Sequence, residues 1–203
     1  METNVKYPKR KPLRLKNYDY SAPGAYFVTI CTAEKRCFLS TITVGDGTER
    51  LENATVWRFQ QGRAKPMDLA RPVVKLTKLG CIIERQIEDI PKRFPTVTVD
   101  AYVIMPNHIH LLISLHRDPD REDPTGRASL TGRASPSPTV GDVIRVLKSL
   151  STREGRAYAG DSPVWQRGYY DHIIRDEQDY GEIWAYIEEN PLRWAEDSLF
   201  VME

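Results

Sequence analysis

Residues 100–115 read Asp100-Ala-Tyr-Val-Ile-Met-Pro-Asn-His-Ile-His-Leu-Leu-Ile-Ser-Leu115. Two apolar runs rich in β-branched and aromatic residues meet at the break Met105-Pro106-Asn107, which reads as two strands joined by a tight connection. So short a link leaves no room for a crossover, so the pair is antiparallel. His108 and His110 stand two apart at the start of the second strand. Alternate strand residues share a face, so both imidazoles point the same way. Such a pair serves as core or surface histidines, or holds one metal ion, zinc included.

At 203 residues, with 40% hydrophobic content, the chain reads as one globular domain carrying insertions. No apolar run reaches the length of a membrane span, and the basic N-terminus lacks the apolar stretch of a signal peptide. Cys31, Cys37 and Cys81 are odd in number and form no Cys-x-x-Cys pair, which favours reduced thiols in the cytoplasm. Cys31 and Cys37 are compatible with a zinc site beside the histidines, but their spacing does not require one. The formal net charge of +1 is not that of a strongly basic nucleic-acid binder, so the distribution of charge carries more than the sum. Lys6, Lys9, Arg10, Lys11, Arg14 and Lys16 crowd the first segment, with Tyr7, Tyr18 and Tyr20 among or just after them. Cations neutralise phosphates and rings stack on unpaired bases. The same composition also suits a solvated tail.

Around the histidine strand the chain divides as follows. Ser21–Gly24 is a turn and Ala25–Thr32 a central strand; a second strand starts near Cys37-Phe38-Leu39 and runs towards Val44. Residues 45–73 read as an extended loop or hairpin insertion. Leu76, Leu79, Ile82, Ile83, Ile87 and Ile90 follow helical spacing, with a stop near Pro91 or at Phe94-Pro95. Residues 116–138, with Thr125-Gly-Arg-Ala-Ser129 echoed at Thr131-Gly-Arg-Ala-Ser135, form a second insertion. Thr139 caps a helix with Asp142 in its first turn, an apolar stripe through Val143, Ile144, Leu147 and Leu150, and Arg145, Lys148 and Arg153 along it. Gly155 and Gly160 are expected to bracket a hinge-like loop. Val164–Arg175 is irregular and ends in a short strand.

Asp176 caps the last helix, and Pro191 ends it after Asn190. Tyr180, Ile183, Trp184 and Ile187 form its buried stripe. Tyr186 lies roughly 110° from the centre of that stripe, and Asn190 falls on the same side one turn later. A phenol and a carboxamide are thus presented together beside the core face. A partly exposed packing tyrosine and a turn asparagine would give the same pattern.

These pieces together resemble the REP-associated tyrosine transposases, relatives of the single-tyrosine HUH transposases of insertion sequences. The likeness runs from Arg14-Leu-Lys-Asn-Tyr-Asp-Tyr-Ser-Ala-Pro-Gly24 and the strand after it, through Arg93-Phe-Pro-Thr-Val97, to Tyr102-Val-Ile-Met-Pro-Asn-His-Ile-His-Leu-Leu-Ile113. It continues in Trp165-Gln-Arg-Gly-Tyr-Tyr-Asp-His-Ile-Ile-Arg175 and ends in Asp179-Tyr180 and Tyr186-Ile-Glu-Glu-Asn-Pro191. The resemblance implies an α+β, ferredoxin-like antiparallel sheet with helices on one face, of the HUH endonuclease type. It implies one such domain over 1–203, with a basic segment 1–20 and insertions at 45–73 and 116–138, and a homodimer as one assembly. His108 and His110 become metal ligands, Asn190 a third, and Tyr186 the nucleophile.

The chemistry implied is cleavage and rejoining of single-stranded or hairpin DNA through a 5′-phosphotyrosine link, assisted by Mg²⁺ or Mn²⁺. Lys9, Arg10, Lys11, Arg14, Lys16, Arg145, Lys148 and Arg167 are candidate backbone contacts, and His172 a candidate accessory group. Tyr169 and Tyr170 are rival nucleophiles that lack the following asparagine. A nucleoid-associated cytoplasmic protein without membrane contact is expected. The other classes are a hairpin-binding module that lost cleavage and a metal-dependent phosphodiesterase using water.

Overall fold

The computed structural model describes residues 18–44, 72–117, 137–160 and 162–201. Most of the first basic segment and most of both insertions lie outside these residues.

β1 (Gly24–Cys31) is the strand expected from its β-branched and aromatic residues. It pairs along its whole length with β5 (His108–Leu115), from Gly24 opposite Leu115 to Cys31 opposite His108. β4 (Val97–Ile104) lies on the other side of β5, antiparallel as the short Met105-Pro106-Asn107 link requires, with a bulge between Val99 and Ala101. β6 (Tyr170–Ile173) completes the sheet beside β1, giving the order β4-β5-β1-β6. A separate ribbon joins β2 (Ser40–Val44) to β3 (Pro72–Leu76), so Cys37, Phe38 and Leu39 precede the second strand.

α1 (Lys78–Glu88) is capped by Thr77, whose hydroxyl accepts from the Gly80 amide, and breaks at Asp89. A single turn, α2 (Ile90–Arg93), with Pro91 in its first turn, carries the chain to Phe94. α3 (Val140–Ala159) starts on a full capping box between Thr139 and Asp142. α4 (Glu177–Glu189) starts at Asp176, whose side chain accepts from the Asp179 amide. With β2 and β3 set aside, the order β1-α1-β4-β5-α3-β6 in an antiparallel β4-β5-β1-β6 sheet is the split β-α-β, ferredoxin-like arrangement.

Strand alternation divides the sheet into two apolar layers. Tyr26, Val28, Ile30, Ile109, Leu111 and Ile113 face α1 and α3 and form the larger core with Ile83, Ile87, Val143 and Leu147. Ala101, Val103, Met105 and Leu112 face the other way and are covered by α4 through Ile187, with Tyr180, Ile183 and Trp184 packed at the margin. The helices of the βαβ repeat therefore share one face, and α4, which follows the repeat, closes the other. Its stripe matches the expected positions, but only Ile187 is fully buried.

Gly155 does not open a hinge. It is buried inside α3, where any Cβ would collide with Leu79 Cδ1 of α1. Glycine at this place lets two helices approach, and the chain turns only at Gly160, whose φ is 67°. Among the described residues no helix is long and apolar enough to cross a membrane.

Candidate active site

His108, His110 and Leu112 alternate onto the sheet face that α4 covers, so the histidines project from a central strand into the smaller apolar layer. Both are buried, at 0% and 2% exposure. Their outer nitrogens have defined partners. Asn107, buried in the link before β5, donates through Nδ2 to the carbonyls of Leu199 (2.8 Å) and Lys35 (3.3 Å). Its Oδ1 is thereby fixed as the acceptor facing His108 Nδ1 at 2.8 Å, so that nitrogen carries the proton. His110 Nδ1 lies 2.8 Å from Thr29 Oγ1, which accepts from it in the corresponding tautomer.

In the tautomer with both protons on Nδ1, the two Nε2 lone pairs converge on one point, their nitrogens 3.0 Å apart; with His110 protonated on Nε2 instead, the same distance is a hydrogen bond to His108. Burial pushes His108 down to about 4, with Asp197 and Asn190 acting in the opposite direction. Burial, with the charge of His108 behind it, holds His110 well below the usual histidine value. Neutral imidazoles with convergent lone pairs are a donor set for a cation. Two bonds of about 2.1 Å meeting near a right angle separate their donor atoms by about 3.0 Å, which the pair already satisfies.

α4 presents Tyr186 to this pair. Its hydroxyl lies 3.4 Å from His110 Nε2, and its ring meets Phe27 edge-on at 5.8 Å. Phe27 in turn stacks on His110 at 5.1 Å. The tyrosine stays 41% exposed, so it is open to a large substrate. Burial, then Asp197, raises its pKa, with Asn190 acting the other way. Asn190 caps the C-terminus of α4 and is 3% exposed. Its Nδ2 donates to Asp197 Oδ2 at 3.2 Å. Its Oδ1 is buried with no hydrogen bond of ordinary geometry, although it favours the protonated form of His108. A buried carbonyl oxygen without a full partner is a further available donor atom.

Asp197 was not apparent in the sequence. It follows the 3₁₀ turn Trp194–Glu196 and is held by the Leu199 amide, which donates to Oδ1 at 2.6 Å. Its Oδ2 lies 3.9 Å from His108 Nε2. One ligand atom from each of His108, His110 and Asp197 falls within 4.8 Å of the others, so these three can hold a metal ion. A lone acid in a polar turn has no periodicity to mark it. The one sequence sign is its place just beyond the Tyr-Ile-x-x-Asn-Pro segment.

The other candidates are placed as follows. Cys31 lies opposite His108 and is buried, with burial raising its thiol; Cys37 is half-buried, with its thiol 4.0 Å from the Lys35 carbonyl, and neither belongs to the metal-competent group. His172 is on β6 opposite Phe27, on the active face, and its Nε2 meets the Asp179 carboxylate at 2.9 Å. Arg145 pairs with Asp142 at 2.9 Å on the exposed side of α3. Lys148 donates to the carbonyls of Gln166 (2.6 Å) and Gly168 (2.9 Å), tying the segment before β6 to α3. Arg167, within that segment, is exposed. Tyr170 is 58% exposed at the sheet edge, whereas Tyr169 packs against the larger core. Lys9, Arg10, Lys11, Arg14 and Lys16 lie outside the described residues.

A ferredoxin-like sheet with a buried His-x-His pair facing a helix-borne tyrosine defines a protein class with a metal-competent, tyrosine-bearing site. No family model matches the chain. It is 34% identical over 195 residues to an uncharacterised protein of Haemophilus influenzae, covering 95% of this chain and 93% of that one. It is 30% identical over 112 residues to a second Haemophilus influenzae protein, named "Putative REP-associated tyrosine transposase", covering 50% of this chain and 53% of the other. The chain belongs to one family with the first Haemophilus protein and is a relative of the REP-associated tyrosine transposases.

Two solved structures are also similar. One is a REP-associated tyrosine transposase bound to a REP hairpin, at 18% identity and TM-score 0.47, covering 89% of this chain and 74% of that one. The other is described as a putative transposase from Deinococcus radiodurans R1, at 14% identity and TM-score 0.42, covering 87% and 95%.

Proposed function

We propose that this protein is a tyrosine transposase that cleaves and rejoins single-stranded DNA, hairpin-forming DNA included, with Tyr186 as its nucleophile. The observation that carries this reading is the Tyr186 hydroxyl 3.4 Å from His110 Nε2, itself 3.0 Å from His108 Nε2. This places the phenol oxygen beside the same two imidazole nitrogens that can hold a cation, where a phosphate bound to that cation would meet it.

Tyr186 Oη attacks phosphorus, the bond to the 3′-oxygen breaks, and a 5′-phosphotyrosine link and a free 3′-OH result. The phenol proton leaves as the new bond forms, and the departing oxygen takes one up. Burial raises the pKa of Tyr186, so the phenol is protonated at rest and needs charge stabilisation at the phosphate to react. His108, His110 and Asn190 Oδ1, with Asp197 beside them, would hold a divalent cation, Mg²⁺ or Mn²⁺, the second suiting imidazole better. When bound, that cation supplies Lewis-acid stabilisation of negative charge on the phosphate oxygens. Because the tyrosyl ester conserves the phosphodiester bond energy, a second 3′-OH can reverse the step and join new ends.

His172, oriented by Asp179, is an accessory phosphate contact at the active face. The basic N-terminal segment, with Arg145 and Arg167, supplies backbone contacts; Lys148, committed to two carbonyls, acts through the fold of the 166–168 segment. A single domain over 1–203, homodimer assembly and association with the nucleoid complete the reading.

Labelled single-stranded hairpin DNA incubated with the protein and Mn²⁺ is expected to give an SDS-resistant adduct. Tyr186→Phe abolishes it and His108→Ala reduces it below detection. An adduct that survives Tyr186→Phe overturns the nucleophile. Cleavage without adduct points to water-based hydrolysis, and binding without cleavage to a recognition module.

A further inference from the structure

We propose that Tyr170 is a stacking platform for an unpaired base next to the scissile phosphate, and so fixes how the strand lies across the site. The inference rests on the reading of the substrate as single-stranded DNA.

Strand register places the residue. Tyr170 lies opposite Thr29, and Thr29 lies opposite His110, so the three form one cross-strand row. Residues directly opposite each other in antiparallel strands share a face. Thr29 Oγ1 reaches His110 Nδ1, which fixes that face as the one bearing the histidines. Tyr169 confirms the alternation by packing into the core on the other side. Two strand spacings put Tyr170 about 10 Å from His110, within reach of a neighbouring base of a strand whose phosphate sits at the histidines.

The state of the side chain is that of a binding residue. Tyr170 is 58% exposed, and its ring makes no aromatic contact or hydrogen bond with another described residue. It stands on the four-residue edge strand, with no described strand beyond it to cover the ring. The backbone leading to it is held in place, because Lys148 Nζ binds the carbonyls of Gln166 and Gly168. Arg167, exposed in the same segment, offers a cation to the phosphate beside the stacked base. A ring at an anchored edge, with a cation three residues before it, meets the two requirements of single-strand binding. The Tyr170 hydroxyl has no contact with the histidines, which separates this role from that of Tyr186.

The test uses the full-length protein and a 2-aminopurine-labelled single-stranded oligonucleotide, with the label moved stepwise along a thymidine tract. Wild type quenches the fluorescence at one preferred position. Tyr170→Phe keeps the quenching, whereas Tyr170→Ala loses it and binds about tenfold or more weakly. Circular dichroism melts of both variants should match wild type, as befits an exposed edge residue. Unchanged binding and quenching in Tyr170→Ala overturns the proposal, as does a loss in Tyr170→Phe equal to that in Tyr170→Ala. Absence of any single-strand binding by wild type overturns it too. If wild type forms no covalent adduct yet the Phe and Ala variants separate as described, the cleavage chemistry fails while the platform stands.

Discussion

Replacing Thr29 with valine changes one atom that touches His110 and leaves the shape of the side chain nearly intact. In the tautomer that can bind a cation, the Thr29 hydroxyl accepts from His110 Nδ1 across 2.8 Å and keeps the Nε2 lone pair free. Valine strands a buried N–H, and His110 is 2% exposed, so water does not readily replace the partner. An unsatisfied buried donor costs about 1–3 kcal/mol. The ring recovers a partner by moving its proton to Nε2, where His108 Nε2 accepts at 3.0 Å. That tautomer carries its lone pair on Nδ1, turned away from His108, and offers none at Nε2 to a cation held with His108. Cation affinity is therefore expected to fall by roughly the same free energy, about 5- to 150-fold. This range overlaps the losses common when groups that orient metal-bound histidines are removed. Isothermal titration with Mn²⁺ reads the affinity directly, and Thr29→Ser, which keeps the hydroxyl, should bind close to wild type. Equal Mn²⁺ affinity in Thr29→Val and wild type would refute the tautomer reasoning, and so would a Thr29→Ser variant as weak as Thr29→Val.

Other outcomes follow from the same structure. Asp197→Asn should weaken Mn²⁺ binding more than Asn190→Ala if the carboxylate at 3.9 Å from His108 is the stronger donor, a ranking that titration of both variants measures. The unfolded chain protonates its histidines near pH 6.5, while His108 in the folded protein does so only near about 4 and His110 also well below its usual value. The unfolded state therefore binds more protons in that interval, so metal-free stability is fully present above about pH 6.5 and falls as the pH drops towards 4. Urea midpoints at successive pH values check this, and saturating Mn²⁺ should offset the loss. Thr139→Ala removes the α3 capping box and should cost about 1–2 kcal/mol, read from the denaturant midpoint. Gly155→Val should destabilise by about 1–3 kcal/mol through overlap with Leu79, measured by thermal melting.

Much of the architecture was legible because local signals agreed with the global fold. Met105-Pro106-Asn107 could only join neighbouring antiparallel strands, and the apolar spacings of 76–90 and 180–187 each marked a helix face. Gly155 misled because glycine is a helix breaker by intrinsic preference, and its need for close contact with Leu79 is visible only once α1 and α3 are packed. In the site, the His-x-His pair and the Tyr186–Asn190 pair were legible as periodic features. Thr29, Asn107 and Asp197 were not, because their roles depend on strand register and on how the segment after α4 returns to the sheet. Thr29 is 81 residues from the histidine it orients, a separation that no local pattern spans.

The two halves of the site differ in how firmly they are held. His108 and His110 belong to β5, which has hydrogen-bonded neighbours on both sides and an apolar layer on each face. Tyr186 belongs to a peripheral helix that fully buries only Ile187. Amide protons of β5 should exchange with solvent only on global opening, whereas those of α4 should exchange through a smaller local opening. A strand joined to Tyr186 would thus be tethered to the looser element, free to swing while the imidazoles keep their places.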